Sequence, residues 1–138
     1  MAVSAKLRRV VTVRAQGPCE YCGLSAEGQA ATFHVDHILP QVAGGLTVSE
    51  NLTLACIHCS LRKGSRRTAS DPLSGATVPL FHPRLDTWAG NFRWAGVKLI
   101  GRTPTGRASV AALDLDSAKH LVIRGFESRL DRHTPPAD

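Results

Sequence analysis

Apolar and polar positions along the chain group into short runs divided by turn residues, and they predict a succession of small elements. Residues 5 to 15, AKLRRVVTVRA, mix apolar and basic positions in a way that predicts a basic helix. From Ala31 to Leu39 the pattern is that of a strand, alternating with period two in its first half, and Pro40 closes it. Gly44-Gly45 signals a turn. Asn51-Leu52-Thr53-Leu54-Ala55 reads as a second strand that runs straight into Cys56, and Ser60 to Gly64 opens a short helix. Residues 68 to 77 read as a turn-rich connector around DPLSG. Phe92-Arg93-Trp94 and Val97 to Ile100, divided by Ala95-Gly96, read as a hairpin. Thr105 to Leu113 and Ser117 to Leu130 then read as helices. Phe92 and the two tryptophans are expected in the core, and HTPPAD at residues 133–138 is expected to fray. The sum is an α+β fold with an N-terminal helix and a C-terminal extension of a hairpin plus helices. It is expected to form a single domain over residues 1–138, with a core at about 17–67 and the extension at about 78–130.

Composition narrows the class. A chain of 138 residues suits one domain with a modest core. Aromatics are only 5%, so packing leans on Val, Leu, Ile and Ala, and a cross-link or metal would help so thin a core. The net charge of +6 points to an acidic partner, for which nucleic acid is the commonest candidate because neutralising phosphates releases counterions. A merely basic surface is the bland alternative. No apolar stretch approaches the roughly 18 to 20 residues that span a bilayer. The N-terminal stretch is basic and acid-free like a transit peptide, but it leads directly into Cys19, so it is expected to belong to the mature domain.

The cysteines fall as Cys19-x-x-Cys22, then 33 residues, then Cys56-x-x-Cys59. Two such pairs predict a tetrahedral four-cysteine zinc site, each pair forming a tight knuckle that aims two thiolates at one point. Gly23 supplies the freedom such a turn favours. Two disulfides are the alternative, but the chain shows no secretory signal, and a reducing, cytoplasmic setting is expected. Four thiolates leave no open coordination position, so this zinc is expected to be structural and the chemistry must lie elsewhere.

Between the two pairs, His34-x-Asp36-His37 places an acid among two histidines. Asp36-His37-Ile38-x-Pro40, Gly44-Gly45, Asn51-Leu52, Cys56-x-x-Cys59 and Lys63 together resemble the HNH endonucleases, the ββα-metal nucleases. The resemblance runs from about Cys19 to Ser65. It extends more loosely through Leu80 to Trp88, Phe92-Arg93-Trp94 and Thr103 to Ala108. It implies a small zinc-stapled ββα-metal core that cleaves DNA phosphodiester bonds to leave 5′-phosphate and 3′-hydroxyl ends. By the same resemblance Asp36 would ligate Mg2+ or Mn2+, His37 would be the general base, and Asn51 would brace the loop that orients His37. Independent chemistry agrees. A neutral histidine suits the activation of water near neutral pH, and a hard carboxylate suits a cation that offsets phosphate charge.

The resemblance also exposes a departure. The residue after the last cysteine is usually Asn or His and gives the metal its second protein ligand; here it is Ser60, a weaker neutral donor that can still coordinate Mg2+. His34 should share a strand face with Asp36 and could reach the metal or the scissile phosphate. His58 is expected to be exposed within its knuckle, and His82 and His120 carry no signal. Arg62, Lys63, Arg66 and Arg67 are expected to contact phosphate, with His34, and Arg8, Arg9 and Arg14 could add to that face. DNA is the expected partner, with RNA left open. Two rival readings remain: a nucleic-acid-binding zinc module whose chemistry is lost at Ser60, and a redox or structural four-cysteine protein.

Overall fold

In the computed structural model the described residues are 3–26 and 32–131; the expected fraying at 133–138 lies outside them. Helix α1 (Ala5–Ala15) begins where Ser4 Oγ accepts a hydrogen bond from Leu7 N–H at 3.1 Å. It ends where Gln16 turns left-handed, at φ 61°. The helix buries Val11 and Ala15 and lies against the sheet that follows. Arg14 donates to the carbonyls of Ser49 (3.0 Å) and Leu52 (2.8 Å), and Arg8 donates to that of Phe33. Both guanidiniums therefore fasten this helix to its neighbours.

Strand β1 (His34–His37) pairs antiparallel with β2 (Leu52–Ala55), setting His34 opposite Ala55, Asp36 opposite Thr53 and His37 opposite Leu52. The strand is shorter than the pattern predicts: the chain leaves it at Ile38, and Ala31 lies outside the described residues. Helix α2 (Ile57–Lys63) starts three residues earlier than expected. Cys56 is its N-cap, with Sγ accepting from Cys59 N–H at 3.5 Å, so the second knuckle is itself the first turn of the helix.

The expected connector at 68–77 is instead a small hairpin, β3 (Thr68–Ser70) with β4 (Thr77–Pro79). Buried Asp71 organises its turn, accepting from Leu73 N–H and Ser74 Oγ–H and, at 2.9 Å twice, from Arg107. The bonds from Arg107 hold the Asp71 carboxyl far below the usual carboxylate range. A one-turn helix α3 (Trp88–Asn91) precedes the expected hairpin, β5 (Phe92–Ala95) with β6 (Lys98–Gly101). Helices α4 (Pro104–Ala112) and α5 (Ala118–Arg129) follow, capped by the hydroxyls of Thr103 and Ser117. Among the described residues the arrangement is α+β with three two-stranded sheets. No helix among the described residues is long and apolar enough to cross a membrane.

One cluster of buried side chains runs from Val11 and the four cysteines through Leu52 and Leu54 to Phe81, Trp88, Phe92, Leu99 and Leu115. Phe81 and Trp88 both pack on Phe92, with ring centroids 5.1 and 5.3 Å away. Three polar ties bind the C-terminal elements to the knuckles. Glu20, inside the first cysteine pair, accepts from Thr53 Oγ–H and Leu54 N–H at 2.7 Å each, and Arg84 donates to its other oxygen. Arg124, 1% exposed, donates to the carbonyls of Cys22 (3.2 Å), Leu115 (2.6 Å) and Val97 (3.0 Å) and pairs with Asp116. His58, expected to be exposed, is half-buried. Its Nε2–H is shared between the Leu113 and Asp114 carbonyls, and its ring stands edge-on to buried His120.

Candidate active site

The four Sγ atoms come together in the core, all within 4.8 Å of one another. Thiolates 2.3 Å from a tetrahedral zinc lie about 3.8 Å apart. The Cys22 and Cys56 sulfurs are separated by 3.7 Å, so the donor set suits zinc in type, number and spacing. Burial works to raise the Cys19 thiol, but hydrogen bonds from Cys22, Cys56 and Cys59 hold it well below its ordinary value. Burial, followed by the hydrogen bonds with Cys19 and Cys56, pushes the Cys22 thiol up, against an opposing bond with Cys59.

On the outer side of this staple, β1 buries Val35 and turns His34 and Asp36 to the opposite face. His37 ends the strand, half-buried. Asn51 then governs the chain between the two strands. Its Oδ1 accepts from Leu39 N–H at 2.8 Å, while its Nδ2 donates to the carbonyls of Leu39 (3.1 Å) and Leu46 (2.9 Å). Both ends of the loop are pinned by one side chain. Gly45 is required by the close approach, because a Cβ there would overlap the Leu39 carbonyl. The next residue after the pinned Leu46 is Thr47, whose Oγ1 lies 2.8 Å from His37 Nε2. Nδ1 of His37 has no hydrogen bond to the described residues.

Across the cleft stands Ser60, in the second turn of α2, with Oγ 2.9 Å from His34 Nδ1. Asp36, His37 and Ser60 line an open cleft of about 340 Å³ together with Pro40, Gly64 and Ser65. The order is a strand with an acid and an imidazole, a loop pinned by Asn51, a paired strand, and a helix rising from a cysteine knuckle. Residues 19–66 match the HNH endonuclease family model. No curated protein and no solved structure matches the chain.

The matched segment holds Asp36, His37, Asn51, Ser60, Arg62, Lys63, Arg66 and His34, with Arg67 directly after it, and the geometry separates them. Asp36, His37 and Ser60 share one cleft, and Asn51 lies behind it. Arg66 and Arg67 are exposed and border a neighbouring cleft of about 640 Å³, floored by Leu80 and Phe81. Arg62 is exposed but paired with Asp114 at 3.1 Å. Lys63, expected with its neighbours to contact phosphate, turns inward instead. It is 4% exposed and donates to the Ile38 carbonyl at 2.9 Å, so it braces the residue that follows His37. Burial lowers the Lys63 ammonium below its ordinary value, against the opposing charge of Asp36. Thr47, Glu20 and Arg124 carried no signal in the matched segment or beyond it, since a loop threonine and isolated charges read as surface.

Proposed function

We propose that the chain is a metal-dependent endonuclease that hydrolyses DNA phosphodiester bonds in the cleft of Asp36, His37 and Ser60. The observation that carries this reading is the pinning of His37: Asn51 fixes the loop, and Thr47 from that loop holds Nε2. When Nε2–H donates to Thr47 Oγ1, the lone pair sits on Nδ1, which is the form a general base needs. Nδ1 then takes a proton from water as its oxygen attacks phosphorus, and the 3′ oxygen leaves. The Asp36 carboxylate and the Ser60 hydroxyl would hold a Mg2+ or Mn2+ ion, whose chemistry is to offset charge on the phosphate and the leaving oxygen. The zinc at Cys19, Cys22, Cys56 and Cys59 is a staple that fixes α2 against β2. Arg66 and Arg67, with Arg62, supply phosphate contacts along the adjoining cleft. Lys63 positions the backbone and does not touch DNA.

A second reading follows from one residue, Ser60. If its hydroxyl is too weak a donor, the chain binds nucleic acid without cutting it. Cleavage of supercoiled plasmid by the purified protein, with Mg2+, Mn2+ or EDTA, separates the two. Metal-dependent nicking that disappears in His37→Ala establishes the nuclease. An inert wild type beside an active Ser60→Asn marks a disabled nuclease, and DNA binding with no cleavage in either establishes the binding module.

A further inference from the structure

The donor set for the catalytic cation is thin if it stops at Asp36 and Ser60: one carboxylate and one neutral hydroxyl. A third donor stands beside Ser60. His34 is exposed, lies two residues before Asp36 on the same strand face, and brings Nδ1 to 2.9 Å from Ser60 Oγ. Ligands on adjacent vertices of an octahedron of 2.0–2.2 Å radius lie about 3 Å apart. The His34–Ser60 separation therefore suits two ligands of one ion. Among the described residues the only side chain that His34 bonds is Ser60.

We infer that His34 is a ligand of the divalent cation, joining Asp36 and Ser60 through Nδ1 and making good the weak donor at position 60. This rests on the nuclease reading above. It also carries a consequence for metal choice. Imidazole is a softer donor than carboxylate or water and suits transition metals, whereas Mg2+ prefers an all-oxygen shell. The site is thereby biased towards Mn2+ over Mg2+, and the bias resides in His34.

The test is direct binding of Mn2+ to the zinc-loaded protein, followed by loss of the free-ion signal in electron paramagnetic resonance. Wild type, Asp36→Asn, His34→Ala and His34→Asn are compared, with zinc content and circular dichroism confirming an intact fold. Asp36→Asn and His34→Ala should each weaken Mn2+ by at least about tenfold. His34→Asn, which returns an oxygen donor, should narrow the preference for Mn2+ over Mg2+ in competition. Pulsed resonance on bound Mn2+ should show nitrogen coupling that vanishes in His34→Ala. If Asp36→Asn abolishes binding while His34→Ala stays within twofold of wild type, His34 is no ligand and the nuclease reading stands. A loss in His34→Ala confined to DNA affinity, with Mn2+ affinity intact, makes it a phosphate contact and equally overturns the inference. If Mn2+ does not bind, or binds equally well to Asp36→Asn, the nuclease reading itself fails.

Discussion

Glu20 offers the sharpest test of how the site is held. The substitution Glu20→Gln preserves shape but removes the charge facing Arg84, and the two side chains are only 8% and 16% exposed. Burial, reinforced by the charge of Arg14, already lowers Arg84 to about 10, so the guanidinium tolerates little further loss of compensation. Removing one partner of a buried pair costs roughly 3–5 kcal/mol. The bonds from Thr53 and Leu54 also pass from a charged acceptor to a neutral one, each losing part of roughly 1.5–3 kcal/mol. These terms overlap, and a total of about 4 kcal/mol is expected. For a domain of this size that is a fall in Tm on the order of 10 °C. The assay is thermal unfolding of the zinc-loaded protein by circular dichroism, for Glu20→Gln, Arg84→Met and the double variant. The double variant should be less destabilised than the sum of the singles, because no buried charge is left alone. A Tm within about 2 °C of wild type for Glu20→Gln would refute the reasoning, and strict additivity would show that the two side chains do not interact.

Three further outcomes are expected. Thr47→Val removes the hydroxyl that holds His37 Nε2 and should lower kcat for plasmid nicking about 2- to 13-fold, the equivalent of 0.5–1.5 kcal/mol, with KM unchanged and Thr47→Ser restoring the rate. His120 is buried, and that burial, followed by the charges of His58 and Arg124, lowers its pKa to about 4. Its contribution to stability is full above the unfolded value near 6.5 and drains away as pH falls from there towards 4, about 2 kcal/mol between pH 7 and pH 5; urea melts should show a shallower pH slope for His120→Gln. Mass spectrometry under native conditions should find one zinc per chain, and its removal by a strong chelator or by Cys19→Ser should collapse the cooperative thermal transition, because four buried thiols without a cation leave the core unclosed.

The elements with a local signature were legible in the sequence. Helices α1, α4 and α5 and the β5–β6 hairpin depend on caps, periodicity and a turn glycine, all of which lie within a few residues of one another. The cysteine pairs and the Asp36-His37 motif were legible for the same reason. What escaped depends on partners far along the chain. The β3–β4 strands are three residues each, and their turn is completed by Arg107, 36 residues from Asp71. Lys63 looks like one of four solvated cations, and only the tertiary fold shows that Ile38 claims it. His58 sits where a knuckle would be open to solvent, and it is covered because α5 brings His120 against it. The motif identified Asn51, but that it holds His37 by way of Thr47 follows only from the path of the loop.

The bond from Arg124 to the Cys22 carbonyl spans 102 residues, and this separation sets an order of events during synthesis. All four cysteines have been made by residue 59, so zinc can be captured while the clamp does not yet exist. Capture closes the 33-residue interval between the pairs and spends its loop entropy early, leaving the later contacts a shorter conformational search. Until α5 docks, the first knuckle is fastened on one side only. A nascent chain arrested near residue 115 should therefore hold its zinc yet exchange it with free chelator far faster than the finished protein.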